Sequence, residues 1–500
     1  MLTLWLHKIV REKENETCGA PRIKVIDCLR QQQQSIFRRP PQVKSSKSQI
    51  HAKYHKIPEI RFEDHQLTSF SGLLIFQVLF RRIKLKQRLK QCFNHRNVSP
   101  IFGHHLIVML LIVHLLLGFR RLRDIDYYRD DPLDHRIMGL RHLPNVSTIS
   151  RTLTNMESQS VENVRNLSRS LVLEGLHREG FKRLTLDFDG SVLSTKRHAE
   201  GTAVGFNKVK KGARSYYPLF CTVAQTGQFF DVFHRPGNVH DSNGAARFML
   251  NCFDEVRSET ADPIIESRMD SAFFSQEIIS MMSHNNVKCT ASVPFERFPQ
   301  LKKMIEQCDD WQRINKQWSY FETQWKPETW DTSFRFIFTR RKNKKQRKGP
   351  LQLELFEPVD FQYDYKVIVT NKTETAGYVV LFHNGRGSQE AVFGDAKNHS
   401  ALGTIPCRSL AANQTFTLSS MMAHNLTREM QMLSHPAIIR NRPKRPAAWK
   451  FEKLATIRHR IIQRAGRLIR PQGKLTLAMS GNESVRRDLL HFISALQEAA

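Results

Sequence analysis

The sequence predicts an α/β fold, a sheet-and-helix core set between basic, mainly helical flanks. Three observations carry that expectation. From Phe181 the segment FKRLTLDFDGSVLST alternates as a strand, with Leu184, Leu186 and Phe188 on one face and Thr185, Asp187 and Asp189 on the other. The pattern then runs strand, strand, strand, helix, strand, helix, the order of an α/β domain. On either side, helical periodicity and an excess of Lys and Arg take over.

Residues 1–60 are polar and basic, with Gln31–Gln34 and RRPPQVKSSKS, and lack the apolar volume for a core. Residues 61–180 read as helical. QLTSFSGLLIFQVLFRRIKLKQRLKQCF is amphipathic, the basic run between Arg81 and Pro100 suits either a solvated helix face or a phosphate-contacting one, and NVSTISRTLTNMES from Asn145 offers helix caps and a candidate helix-turn-helix element. The run Leu106 to Phe119 is the most apolar in the chain, but a spanning helix needs about 20 such residues, so a buried core helix and no membrane are expected. Residues 181–294 form the first part of the α/β core, with paired strands around a Gln-Thr-Gly turn before Asp231, then helix, strand and helix.

From 295 to 369 the texture becomes mainly β. Trp311, Trp318, Trp325 and Trp330, the strand-like FRFIFTR and the charged RRKNKKQRK from Arg340 to Lys348 mark an insertion whose basic loop is either solvated or laid along a phosphate backbone. Residues 370–435 return to helix, including RGSQEAVFGDAKNHS, and 436–500 are expected to be basic and helical, RHRIIQRAGRLIRPQGK above all. The segment MLTLWLHKIVREKENE has too short an apolar run for a signal peptide.

With 77 Lys and Arg against 47 Asp and Glu, the formal charge is +30, while a 40% apolar content with 32 Phe excludes a disordered polycation. Such a surplus makes a polyanion the expected partner, because clustered cations release counterions when they neutralise phosphates. The eight Cys contain no C-x-x-C pair or zinc-finger spacing and are expected as reduced thiols in a cytoplasmic protein.

Three acids stand at positions suited to chemistry. Asp189 ends an apolar strand, Asp270 follows PIIESRM where a strand hands over to a helix, and such strand ends open into the ligand crevice of an α/β sheet. The third is Glu390. At 100° per residue, Arg386, Glu390 and Lys397 fall within roughly 40° of one another around one helix. Such carboxylates suit Mg²⁺ or Mn²⁺, two such ions can assist phosphodiester chemistry, and Arg386 and Lys397 would hold the phosphate. The plain structural alternative makes Asp189 a turn residue, Asp270 a helix cap and Arg386–Glu390 a surface pair.

LTLDFDGSVLST, AEGTAVGFNKVKKGARSYYPLF, TGQFFDVFHRPGNVHDSNGA, ESRMDSAFFS and HNGRGSQEAVFGDAKNHSALGTIP, in that order, resemble a bacterial insertion-sequence transposase of the DDE type. The resemblance spans about Phe70 to Gly473 and points to the group whose third motif is Tyr, two residues, Arg, three residues, Glu, six residues, Lys. It implies an RNase H-like catalytic domain interrupted by a largely β insertion, with a helical N-terminal DNA-binding region and a basic helical C-terminal region. It also implies a nucleoid-associated bacterial enzyme that works as a homodimer on double-stranded DNA, both the terminal inverted repeats of a mobile element and target DNA. Two Mg²⁺ per site, replaceable by Mn²⁺, would assist end cleavage and 3′-hydroxyl strand transfer, with a hairpin as one possible intermediate. The catalytic, metal-binding acids then fall on Asp189, Asp270 and Glu390, with Asp187 as the competing first acid. Arg386 and Lys397 match the other signature positions, and His383 stands where Tyr is expected. Arg235 of RPGN is a candidate phosphate contact or a turn residue, and Trp325 or Trp330 a candidate for base stacking or for core. A DNA-binding descendant without chemistry and a two-metal nuclease without strand transfer are the competing functions.

Overall fold

The computed structural model describes residues 57–96, 102–196, 198–205, 207, 210–342, 363–438 and 442–498. The chain divides into two units, Met1–Glu63 and Asp64–Ala500. In the first, residues 57–63 are exposed and without regular structure, and the Gln31–Gln34 run lies outside the described residues.

The second unit opens with β1 (Leu67–Thr68) and the helices α1 (Leu74–Arg82), α2 (Leu85–Gln91), α3 (His104–Leu117), α4 (Pro132–Met138), α5 (Val146–Thr154) and α6 (Ser158–Glu179). All of α3 except His105 is buried, so its apolar run serves a core. Among the described residues no helix is long and apolar enough to cross a membrane. The side chain of Asn145 caps α5 by accepting the Thr148 amide at 3.0 Å.

The strands that follow are β2 (Arg183–Gly190), β3 (Leu193–Ser194), β4 (Ala203–Val204), β5 (Arg214–Tyr216), β6 (Leu219–Val223) and β7 (Gln228–Phe233). Then come α7 (Ala245–Glu259), β8 (Ile264–Met269), α8 (Gln276–His284) and β9 (Lys288–Val293). β2, β8 and β9 are mutually parallel, whereas β6 pairs antiparallel with β2 and β7 pairs antiparallel with β6 at the sheet edge. Both faces of this sheet are covered, which is why β6 and β7 carry buried apolar side chains on both faces. Leu219, Cys221 and Phe230 face one core with α7 and α8, while Phe220 and Phe229 face another with α3 and a long C-terminal helix.

The insertion extends this same sheet. After α9 (Pro299–Glu306), β10 (Gln312–Arg313), β11 (Trp318–Trp325), β12 (Phe334–Lys342) and β13 (Tyr363–Thr370) add antiparallel strands, giving the order β10-β11-β12-β13-β9-β8-β2-β6-β7. β13 thereby covers the edge that β9 would otherwise leave open. The basic run beyond Lys342 lies outside the described residues. This mixed α/β architecture with flanking helices is consistent with an RNase H-like fold.

The chain continues through α10 (Ala376–Asn384), α11 (Gly387–His399), α12 (Leu410–Ser434), the short α13 (Leu454–Ile457), β14 (Gly466–Ile469), β15 (Thr476–Met479) and α14 (Glu483–Glu498). The expected basic helix over RHRIIQRAGRLIRPQGK is not formed: one π-helical turn, Arg458–Ile462, gives way to β14, which pairs with β1 and β15. Arg458 turns inward and donates to the carbonyls of Leu116, Leu115 and His399 at 2.8, 3.0 and 2.7 Å, so it belongs to no outward positive face. Cys92, Cys221, Cys252, Cys289, Cys308 and Cys407 are free thiols.

The polar faces of β2 and β8 determine where the site falls. Their parallel register sets Thr185 beside Glu266 and Asp187 beside Arg268, and the next step along the same faces sets Asp189 level with Asp270. Glu266 is buried and takes bonds from Lys372 and Arg445 at 2.7 Å each and from Arg183 at 2.8 Å. Burial pushes its carboxyl up, but Arg445 and Lys372 hold it below the usual range. One step on, Arg268 donates to both oxygens of Asp187 at 2.7 and 2.5 Å, with both side chains buried. Breaking a buried pair from one side is expensive because the other charge stays behind. Arg268→Met is therefore expected to destabilise the fold by about 3–5 kcal/mol, seen as a lower urea midpoint, with the double variant D187N/R268M recovering most of the loss. Equal midpoints for the single and double variants would show that Asp187 does not depend on its partner.

Candidate active site

The site lies where the β2–β8 ladder ends. Asp189 and Asp270 stand side by side at the carboxyl ends of two parallel strands, each partly exposed, and Arg386 reaches between them with its Nη2 3.4 Å from Asp189 and 3.5 Å from Asp270. Asp270 caps the turn that follows β8, its Oδ1 accepting the Ala272 amide at 3.0 Å. That bond aims the carboxylate at the strand end.

Arg386 is placed by its helix. It is the N-cap of α11, and three residues later the buried Gln389 donates to the Asp187 carbonyl at 2.9 Å and to the Thr222 hydroxyl at 3.0 Å. One turn further, Phe393 packs edge-on against Phe220 and Phe229, with ring centroids 5.3 and 5.4 Å apart. These contacts fix α11 across β2, β6 and β7. Glu390 is exposed in the first turn, on the helical face it shares with Arg386 by its i+4 spacing. Lys397, two turns on, is half-buried; burial pushes its ammonium down and the Asp189 charge opposes that.

Burial pushes the Asp189 carboxyl up to about 7; Arg386 works against this, and the charges of Asp270 and Asp241 add to it. Asp270 is raised in the same way, by burial first, with Arg386 opposing. One guanidinium thus serves two crowded carboxylates and leaves them short of positive charge.

Asp241 and Tyr217 belong to this neighbourhood, and neither was singled out from sequence. The Tyr217 hydroxyl donates to Asp241 at 2.8 Å. The pair presses on the strand just past Asp189: a Cβ on Gly190 would lie 2.3 Å from Asp241 Oδ1 and 2.7 Å from the Tyr217 ring, so any larger residue there would have to displace the pair. The available signal was the order DG, YYPL, RPGNVHD, whose loops converge only in three dimensions.

The remaining sequence candidates fall elsewhere. Asp187, the competing first acid, is committed to Arg268 inside the fold. His383 is buried, bonded to the hydroxyls of Ser292 at 2.9 Å and Thr290 at 3.0 Å, and held down to about 3 by burial and the nearby Arg386, Lys366 and Arg268. Buried and engaged with both hydroxyls, it joins α10 to β9 in this structure. Arg235 is likewise buried and ties its own loop, donating to the carbonyls of Tyr217, His240, Asp241 and Asn243 at 2.9–3.1 Å. Trp330 is buried and stacks on Phe274 at 4.8 Å, and Trp325 packs edge-on against Phe336 at 5.0 Å and Phe298 at 5.6 Å. Trp330 is thus a packing residue in this structure, whereas Trp325 sits at the rim of the same aromatic cluster and stays partly exposed.

Among the described residues no group of three or more His, Cys, Asp or Glu side chains is arranged to hold a metal. Asp189 and Asp270 nevertheless fit one in chemistry: hard oxygen donors, crowded and under-compensated, facing a common point that a cation already shares. Glu390 is not drawn to that point.

Paired aspartates at adjacent parallel strand ends, with a helix bearing Arg, Glu and Lys laid across them, are groups suited to a hard cation and a phosphate. The model of the transposase DDE domain group 1 family matches residues 51–500, and the chain belongs to that family, whose general function is transposase-type DNA cleavage and recombination. No curated protein matches the sequence. Among solved structures, the chain is similar to a piggyBac transposase synaptic complex with hairpin DNA at 11% identity and a TM-score of 0.38, over 71% of this chain and 74% of that one. It is also similar to a Mos1 transposase paired-end complex at 9% identity and a TM-score of 0.16, over 57% and 70%.

The Asp189 shift has a consequence for stability. Because the folded carboxyl holds its proton more tightly than an unfolded one, ionising it costs stability as pH rises from about 4 to about 7. Asp189→Asn removes that cost, so in metal-free buffer at pH 8 the variant is expected to melt roughly 2 °C or more above wild type, an effect of order 1 kcal/mol. The gain should vanish near pH 4. A variant that melts lower than wild type at pH 8 would show that the Arg386 pairing outweighs desolvation.

Proposed function

We propose that the protein is a DNA transposase that cleaves phosphodiester bonds at the ends of a mobile element and joins the freed 3′-hydroxyls to target DNA, with Asp189, Asp270 and Glu390 as its acids. The observation that carries this reading is the level placement of Asp189 and Asp270 on parallel strand ends around one guanidinium. Family membership and the +30 charge agree with a DNA substrate.

Mg²⁺, or Mn²⁺ in its place, would be held by Asp189 and Asp270, with Glu390 completing the set from the first turn of α11. Bound there, it would supply charge stabilisation and a more acidic attacking water or hydroxyl. The chain's own residues do the rest. Arg386, released from the aspartates when a stronger cation is present, has the fork geometry to grip the phosphate being attacked. Lys397, near enough for the Asp189 charge to act on it, would supply a second positive charge. The Gln389 and Phe393 contacts keep α11 from sliding, so Arg386 and Glu390 move as side chains on a fixed axis. Cleavage and joining are both displacements at phosphorus, so one site serves both, acting at terminal inverted repeats within a homodimer.

The test is joining of a pre-cleaved element end, carrying its native terminal repeat, to plasmid DNA in Mg²⁺. D189N, D270N and E390Q are each expected to lose product by roughly a hundredfold or more while end binding stays within a few-fold of wild type. Retained joining in E390Q would remove the glutamate from the site. Retention in all three would overturn the assignment.

A further inference from the structure

A second site lies on the small sheet that branches from the end of β2. β3, β5 and β4 form a three-stranded sheet of their own. Where the chain leaves β3 and returns into β5 there is a concavity of about 350 Å³ whose lining includes Lys196, His198, Lys210 and Arg214. Among the described residues that line it there is no carboxylate. Lys196, His198 and Lys210 are exposed.

The concavity is built. Buried Asn207 ties its two rims together, donating to the Ser194 hydroxyl at 2.6 Å and accepting the Lys210 amide at 2.9 Å. Arg214 is fixed from behind by the Thr202 hydroxyl at 3.1 Å, and the Thr195 amide donates to the Arg214 carbonyl at 3.0 Å. Cations gathered in a concave surface without acids repel one another, and such a surface focuses its field on an incoming anion.

Its location gives the anion an identity. β3 begins four residues after Asp189, and Tyr216 of β5 bridges to Pro236 of the RPGN turn. A Cβ on Gly237 would lie 2.4 Å from Ser215 Oγ and 2.6 Å from the Ala203 carbonyl, so glycine in that turn is what lets the small sheet seat against it. The same loop carries Asp241 to Gly190. The concavity is therefore anchored to the candidate active site from both sides.

We propose that the Lys196–His198–Lys210–Arg214 concavity seats a backbone phosphate of duplex DNA as it passes Asp189. The inference rests on the DNA-cleaving function proposed above and adds to it a phosphate position outside the acid site. Lysine contacts to phosphate show in the salt dependence, each worth about 0.9 in the slope of log K against log salt. Binding of a duplex bearing the element end, followed by fluorescence anisotropy from 50 to 300 mM KCl, should give a slope less steep by about 2 for K196A/K210A than for wild type. Affinity near 100 mM should fall about tenfold or more, with an unchanged melting temperature. K303A, which removes a lysine on α9, should match wild type. A steep wild-type slope that the double variant leaves unchanged would overturn the site alone. A wild type with no salt-dependent DNA binding would overturn the functional proposal with it.

Discussion

The buried pairing of Asp187 with Arg268 is the constraint on which the site depends. It locks β2 to β8 one step before their carboxyl ends, and Arg268 also donates to the Lys444 carbonyl at 2.7 Å, binding the segment after α12 to the same point. With that step satisfied, the next residues on the same faces, Asp189 and Asp270, must lie side by side. Two carboxylates so placed repel, and the fold tolerates them because α11 delivers Arg386 between them. The ladder thus changes along its length: Glu266 is surrounded by three cations, Asp187 has one of its own, and Asp189 and Asp270 share one. The deficit of positive charge grows toward the opening, where an incoming cation or a phosphate with its counter-ion would meet it.

That gradient explains why the site is formed from strand ends and not from loops. A carboxylate two residues deeper is worth more to the fold as a buried ion pair, and a carboxylate on a loop would lack the register that keeps it level with its neighbour. The cost falls on Asp189, whose carboxyl is raised by burial that Arg386 only partly offsets. A carboxyl perturbed in this way by burial beside a second carboxylate, at the open end of a rigid sheet, is the kind of group found at functional sites.

Much of this was legible in the residues. Alternation in LTLDFDG put Asp187 and Asp189 on one face, and the register of β2 and β8 made Asp189 and Asp270 neighbours. The same spacing in SRMD places Arg268 beside Asp187, so that the D-x-D and R-x-D pair encodes which aspartate is structural. What sequence could not show was convergence across long separations. Tyr217 and Asp241 meet Gly190 only because Arg235 folds their loop inward, and a histidine in place of tyrosine at 383 gave no sign that it would be buried against Ser292 and Thr290. Aromatic composition was similarly ambiguous, since Trp325 and Trp330 become packing residues only when the insertion strands extend the main sheet. The C-terminal region misled because a run of arginines reads as surface, whereas Arg458 is used up on carbonyls.

Arg458 also links the two ends of the unit. Its guanidinium satisfies carbonyls at the last turn of α3 and the last turn of α11, so the helix at the heart of the N-terminal bundle and the helix that carries Arg386, Glu390 and Lys397 share one cap. Asp395 on α11 is tied in turn to Arg428 of α12 at 3.0 Å, and α12 lies against β7 through Asn425, which accepts the Phe229 amide at 2.9 Å. Through these bonds α3, α11, α12 and β7 are joined, so the helical region expected from sequence to meet DNA is tied by hydrogen bonds to the helix that carries Arg386, Glu390 and Lys397.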